Sequence, residues 1–413
     1  MNTEHRSVII IGGGPAGLAA AVALYDAGIR DLLILERERQ LGGILNQCIH
    51  DGFGLTRFSQ TLSGPEYAAR FIASVKERNI DYITDCTVIR LTGQKTVTAA
   101  TKRGLLVFSA DAVILAMGCR ERPRGSISIP GDRPSGVFTA GVAQSYINLH
   151  NAMIGKRAVI LGSGDIGMIM ARRLTLEGIH VEAVFEIQPY PSGLPRNIEQ
   201  CLNDYGIPLY LRHTVTRING RRRLESVTVS EVDEAGKPIP GSERDWPCDT
   251  LILSVGLIPE NELSLQAGVE LDARTKGAVT DENGMTGVPG IFAAGNVLHV
   301  HDLVDFVSLE AERLSGSVKN YLEGTALPCP IRVETDGTIG YTVPQKISGK
   351  KAVTLSFRPR KPMQNCHFAV YQDGVCIARK AVRKALPAVM LHMEIPEGAF
   401  VSDSDIKVVS SLD

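Results

Sequence analysis

Gly12, Gly14, Gly17 and Glu36 have the residue types and spacing needed to hold a dinucleotide. Gly12 permits a tight turn, Gly14 lets the backbone approach a pyrophosphate, and Gly17 lets a helix press against the preceding strand. Pro15 and Ala16 open that helix, whose N-terminal N–H groups face the phosphate charge. Glu36 follows Gly17 by nineteen residues, where a carboxylate can bind both hydroxyls of an adenosine ribose, and Arg37 stands beside it. The set recurs 150 residues later as Gly162, Gly164, Gly167 and Glu186, with Asp165 and Ile166 opening the second helix. Two such sets in one chain imply two dinucleotide sites. The chemistry they allow is hydride transfer between bound cofactors, which themselves carry the reactive atoms.

Three further side chains could take part. Cys48, in the run Asn46-Gln47-Cys48-Ile49-His50, could form a cofactor adduct or reduce a peroxide if its thiolate were stabilised. No second cysteine stands at disulfide-reductase spacing from it, and a free cysteine often serves as a small buried hydrophobe. His299 and His301 are two residues apart and share one face if the segment is extended. Either could act as acid or base near neutral pH; packing and hydrogen bonding are the competing roles. No third ligand is indicated beside them, and none of the eight cysteines forms C-x-x-C, so no metal is expected.

The elements that position these groups are legible as two βαβ units. Residues 8–11 and 32–35 read as buried parallel strands around a small-residue helix over 18–26, and residues 156–186 repeat the pattern. Residues 67–78 read as an amphipathic helix. Strands are expected at 87–91, 105–109, 112–116, 251–255 and 291–294, with a helix over 303–323. Leu327-Pro328-Cys329-Pro330 marks a linker, and beyond it short β-type runs alternate with turn residues. The expected class is therefore α/β, with two Rossmann-like three-layer domains and a small β-rich C-terminal domain.

At 413 residues the chain is too long for one core. A formal net charge of -1 gives no reason to expect nucleic acid or an anionic membrane as partner. No stretch has the uninterrupted apolar length of a transmembrane helix, and the N-terminal apolar run, broken by its glycine turn, is not a signal peptide. A reducing cytoplasm is the expected compartment. From residue 331 onward, 12 Lys/Arg face 8 Asp/Glu, concentrated in Ala378-Arg379-Lys380-Ala381-Val382-Arg383-Lys384. The default role of that run is a solvated surface, with docking of a partner protein as the alternative.

In these motifs the chain resembles the two-dinucleotide flavoprotein family that includes the pyridine nucleotide-disulfide oxidoreductases. Gly12-Gly13-Gly14-Pro15-Ala16-Gly17 with Glu36 matches its FAD motif. Ala116-Met117-Gly118 with Pro123 resembles its A-T-G motif, and Gly256 with Pro259 its G-x-x-P loop. Ala294-Gly295-Asn296 stands where the family usually has G-D, so Asn296 keeps a hydrogen-bonding group but lacks the charge. The resemblance implies FAD on a discontinuous domain, 1–122 and 249–326, with NAD(H) on an inserted domain, 123–248, and the β-rich domain at 331–413. It places Gly12, Gly14, Pro15, Ala16, Gly17, Glu36, Arg37, Gly43, Ile44, Ala116, Gly118, Gly295 and Asn296 at FAD. It places Gly162, Gly164, Asp165, Ile166, Gly167, Glu186 and Gly256 at NAD.

Gly42-Gly43-Ile44-Leu45 looks like the thioredoxin-reductase branch, but the redox cysteine pair is missing. Gly136-Val137-Phe138-Thr139-Ala140-Gly141-Val142-Ala143-Gln144 instead resembles a segment of the FAD/NAD-binding subunits of heteromeric opine, amino-acid or glycine dehydrogenases. It also resembles flavoproteins encoded beside anaerobic-type glycerol-3-phosphate dehydrogenases; their cysteine-rich [2Fe-2S] appendage is absent. The implied activity is hydride exchange between NAD(H) and FAD, with electrons passing to or from a partner dehydrogenase subunit or a small acceptor in a homo- or hetero-oligomer. Two alternatives stand beside it: an NADH-dependent peroxide or disulfide reductase using Cys48, and a non-catalytic nucleotide-binding regulatory subunit. Glu186 would repel a 2′-phosphate, and residues 181–195 contain no Arg or Lys to offset it, so NADH is expected over NADPH. The N-terminus of the helix at 303–323 could direct positive charge at the flavin pyrimidine edge.

Overall fold

Val8, Ile9, Ile10 and Ile11 are buried and end the central strand, Thr3–Ile11, of a seven-stranded sheet. It pairs in parallel with Leu32–Leu35 on one side and Gly104–Leu115 on the other, so Ile10 lies level with both Ile34 and Ile114. Asp81–Ile83 and Ile291–Ala293 add parallel strands, while Thr87–Leu91 and Thr96–Thr101 join as an antiparallel meander. The computed structural model describes residues 3–412. The chain divides into two compact units, Met1–Cys119 with Pro259–Asp413, and Arg120–Ile258.

In the first unit, helices Pro15–Asp26, Gly64–Glu77 and Val304–Leu322 share one apolar cluster with the sheet. Leu18 and Leu24 are fully buried there; such burial contributes about 1.5–3 kcal/mol per side chain. The amphipathic helix starts three residues before the expected 67. Ser63 and Glu66 form a capping box that satisfies its first N–H groups. The strands expected at 105–109 and 112–116 are one strand, Gly104–Leu115. Ser109 and Asp111 mark a change from a half-exposed to a fully buried stretch, not a break.

The second unit holds a five-stranded parallel sheet in the order Val137–Thr139, Thr250–Leu253, Arg157–Leu161, His180–Glu186, Leu209–Leu211. Helices Ala140–His150, Asp165–Leu176 and Pro195–Cys201 belong to it. A three-stranded antiparallel sheet, from His213–Asn219 through Arg244–Pro247, completes the unit.

From Ile331 the chain forms a five-stranded and a three-stranded sheet around a core of its own that includes Leu355, Phe357, Phe368 and Ile406. This region clusters with the first unit. Its basic run lies on Val375–Ala385, at one end of the five-stranded sheet. Lysines and arginines on such an edge discourage another strand from pairing there.

Candidate functional site

In the first unit, the turn after Thr3–Ile11 is built from bare backbone. Gly12 has φ +110°, and a Cβ there would run into the Ala116 carbonyl. A Cβ on Gly17 would collide with the Gly12 carbonyl oxygen, so the glycine is what lets helix and turn touch. Around Gly14 a Cβ would meet only Gly43 Cα, at 3.9 Å, and no side chain caps the helix that begins at Pro15. The uncapped helix end above a slot without side chains has the form and polarity that a pyrophosphate requires. Glu36, 5% exposed, accepts from Gly13 N–H at 2.6 Å through Oε2 and from Glu38 N–H at 2.8 Å through Oε1. The loop after it crosses the turn, with Gly42 N–H donating to the Gly13 carbonyl at 2.8 Å. Ile44 on that loop is 59% exposed. Arg37 pairs with Glu260 at 3.2 Å. Ala116 N–H donates to the Ile11 carbonyl, and Gly118 has φ +72°.

The second unit rebuilds this arrangement. Gly162 has φ +99°, and a Cβ there would strike the Ser254 carbonyl. Gly164 precedes the helix Asp165–Leu176, and Gly167 sits against Gly162 and Ser254. Glu186, 3% exposed, accepts from Ser163 N–H at 3.0 Å and from Gln188 N–H at 2.8 Å. Asp165 Oδ1 accepts from Leu194 N–H and from Asn197 Nδ2, and Ile166 packs on the unit's core. Gly256 has φ +105°, and its carbonyl accepts from Arg122 N–H.

The two histidines were candidates for acid–base chemistry; the structure gathers them around a carboxylate. His299 Nε2 is 2.8 Å and His301 Nε2 3.1 Å from opposite oxygens of Glu310, which also accepts from Gly295 N–H at 2.7 Å. A carboxylate can only accept, so both imidazoles carry their proton on Nε2. Glu310 thus completes a three-residue cluster that sequence spacing did not indicate, with a carboxylate oxygen and one nitrogen of each imidazole all within 4.8 Å of one another. It is held by N–H donation to the carboxylate, with no Nε2 lone pair directed at a cation. It reaches the pair from the helix Val304–Leu322, whose N-terminus has no side-chain cap. Burial opposes charge on Glu310, but His301, His299 and their hydrogen bonds outweigh it and hold the carboxyl well below the usual carboxylate range.

His299 is 1% exposed, and its Nδ1 is buried with no partner among the described residues. Burial, aided by neighbouring His301, lowers its pKa from the ordinary 6.5. The unfolded chain therefore binds this proton more readily than the folded chain does, and folding stability declines as pH falls below the ordinary histidine value of about 6.5. Thermal midpoints between pH 5 and 7 should fall with acidity, and the slope should flatten in His299→Asn. An unchanged slope in that variant would remove His299 from the account.

Asn296 keeps its side chain within the same loop: Oδ1 accepts from His301 N–H at 3.0 Å, and Nδ2 lies 3.6 Å from Cys119 Sγ. The C-terminal region also braces the loop. Arg358 donates to the Val300 carbonyl at 3.0 Å and to Asp302 Oδ1, whose other oxygen accepts from Met390 N–H at 2.6 Å. Glu310 and Arg358 are thus site-building residues that sequence reasoning missed. Glu310 lies eleven positions after His299 on a helix face, but nothing in the sequence pairs Arg358 with this loop.

Cys48 is half-buried, and its thiol donates to the Ile44 carbonyl at 3.4 Å. Burial pushes its pKa up to about 12, the direction opposite to the thiolate stabilisation that peroxide or disulfide chemistry draws on.

Residues 6–316 match the family described as pyridine nucleotide-disulphide oxidoreductase. The chain belongs to that family. Its members are FAD-dependent NAD(P)H oxidoreductases. An opine oxidase subunit of Agrobacterium tumefaciens (strain Ach5) is 30% identical over 323 residues, 71% of this chain and 61% of that one. Hydrogen cyanide synthase subunit HcnB of Pseudomonas protegens is 27% identical, covering 75% and 68%. The benzene 1,2-dioxygenase system ferredoxin–NAD(+) reductase subunit of Pseudomonas putida is 28% identical, covering 70% and 66%. The chain spans about three fifths of the length of the opine oxidase subunits it matches. The thioredoxin reductase of T. acidophilum shares the fold, with a TM-score of 0.65 and 22% identity over 78% of this chain and 100% of that one. Among the described residues, no helix is long and apolar enough to cross a membrane.

Proposed function

We propose that this chain is an FAD-dependent NADH oxidoreductase subunit, working in the cytoplasm. It exchanges hydride between NAD(H) and FAD and passes electrons to or from a partner dehydrogenase subunit of the opine, amino-acid or glycerol-3-phosphate class. In this reading Gly12, Gly14, Pro15, Ala16, Gly17, Glu36, Gly43, Ile44, Ala116, Gly118, Gly295 and Asn296 hold FAD. Arg37, which pairs with Glu260, belongs to the same set. Gly162, Gly164, Asp165, Ile166, Gly167, Glu186 and Gly256 hold NAD(H). The flavin supplies the hydride chemistry, and the protein binds and orients.

The carrying observation is the pair of dinucleotide cradles in a chain with no C-x-x-C pair, whose Cys48 is half-buried against the Ile44 carbonyl. Two dinucleotide cradles without a cysteine-pair relay deliver electrons from the flavin to an external acceptor. The names of the relatives support this, since the opine oxidase, hydrogen cyanide synthase and ferredoxin–NAD(+) reductase chains are each one subunit of a larger system. His299 and His301 serve by fixing the loop after Gly295 through Glu310, which makes them positioning residues.

Turnover of NADH with a soluble dye acceptor tests the reading. Cys48→Ser is expected to keep the rate within about twofold, because no step passes through the thiol. Flavin reduction that survives in this variant while turnover disappears would instead assign the electron exit to Cys48.

A further inference from the structure

We propose that the hydroxyls of Ser163 and Ser192 occupy, in the resting chain, the places that the two adenosine ribose hydroxyls take on Glu186. The segment 187–194 is then a self-held strap that NAD(H) must displace. This rests on the reading of the second cradle as the nicotinamide dinucleotide site.

The 150-residue repeat sets the two cradles side by side within one chain. Ser163 corresponds to Gly13 and Ser192 to Gly42, so the second cradle carries two hydroxyls where the first carries none. Both converge on one atom. Ser163 Oγ lies 2.6 Å and Ser192 Oγ 2.7 Å from Glu186 Oε2, which also accepts from Ser163 N–H at 3.0 Å. A carboxylate oxygen has two lone pairs in its plane, so Oε2 is already saturated. The equally buried Glu36 accepts two backbone N–H groups, one on each oxygen, which leaves lone pairs for a ribose diol.

The strap is fixed at further points. Ser192 N–H donates to Ser163 Oγ at 2.9 Å, and Leu194 N–H donates to Asp165 Oδ1 at 2.7 Å. A Cβ on Gly193 would lie 2.9 Å from Asp165 N, so the strap rests on the helix end that a pyrophosphate would face.

The displaced hydroxyl opposes binding, so its removal should strengthen binding. Titration of the FAD-loaded protein with ADP-ribose is expected to show about tenfold tighter binding in Ser192→Ala, as expected for one hydrogen bond to a charged group. Ser163→Gly, which restores the first cradle's residue, should shift affinity in the same direction. The KM for NADH should fall while the limiting rate of flavin reduction stays unchanged. In wild type, hydrogen-exchange protection of the Ser192 and Leu194 amides should drop when ADP-ribose binds. Unchanged or weaker binding by both variants, with wild type still reduced by NADH, overturns the strap and leaves the nicotinamide site standing. Absence of ADP-ribose binding and of NADH reduction in wild type and variants overturns both.

Discussion

Gly17→Val is expected to give a protein that purifies without flavin. The new side chain would be driven into the Gly12 carbonyl, and the backbone on both sides of that contact is fixed. Gly12 is tied to Leu35 through its N–H and blocked by the Ala116 carbonyl on its other side. The helix therefore has to back away from the strand, and it takes with it the N-terminus proposed to face the pyrophosphate. Overpacking of this kind costs about 1–3 kcal/mol where side chains can yield, and more where only backbone can move. The flavin-to-protein ratio after purification and the thermal midpoint check this. Full flavin retention would mean that the first cradle does not hold FAD.

Glu186→Gln is expected to produce the opposite separation, with flavin content unchanged and NADH-driven reduction impaired. Glu186 belongs to the second compact unit and Gly17 to the first, so the two lesions should not mix. The amide loses the charge that makes a ribose diol a strong ligand. A hydrogen bond to a charged group contributes about 1.5–3 kcal/mol, which corresponds to a rise in the KM for NADH of roughly 10- to 100-fold. The same change removes the repulsion of a 2′-phosphate, so the NADH-to-NADPH preference should narrow. Steady-state kinetics with both nucleotides would show it. An unaltered KM would remove Glu186 from the nucleotide site.

Much of this architecture was legible because its causes are local. The runs at 8–11 and 32–35 are apolar on both faces, as strands buried beneath helices must be, and Gly12, Gly17, Gly162 and Gly167 stand where a Cβ would strike backbone. What escaped sequence reading depends on contacts between distant segments. Arg358 meets the loop at 300–302 across more than fifty residues, with no periodicity to connect them. Glu310 sits on a helix whose pattern records only that one face is buried. The spacing of His299 and His301 suggested an acid–base pair, but spacing carries no information about the carboxylate that gathers them. Ser192 is the instructive middle case. Its register with Gly42 was in the sequence, but the meaning of a serine there emerged only once its hydroxyl was seen on Glu186.

An anaerobic titration of the FAD-loaded protein with NADH and, in parallel, NADPH, following flavin bleaching, distinguishes hydride transfer from a structural second cradle. Stoichiometric bleaching by NADH, with little or none by NADPH, is the result expected from two functional cradles with a carboxylate at the second ribose. Absence of bleaching by either nucleotide would contradict hydride transfer and leave the second cradle as a structural or regulatory site.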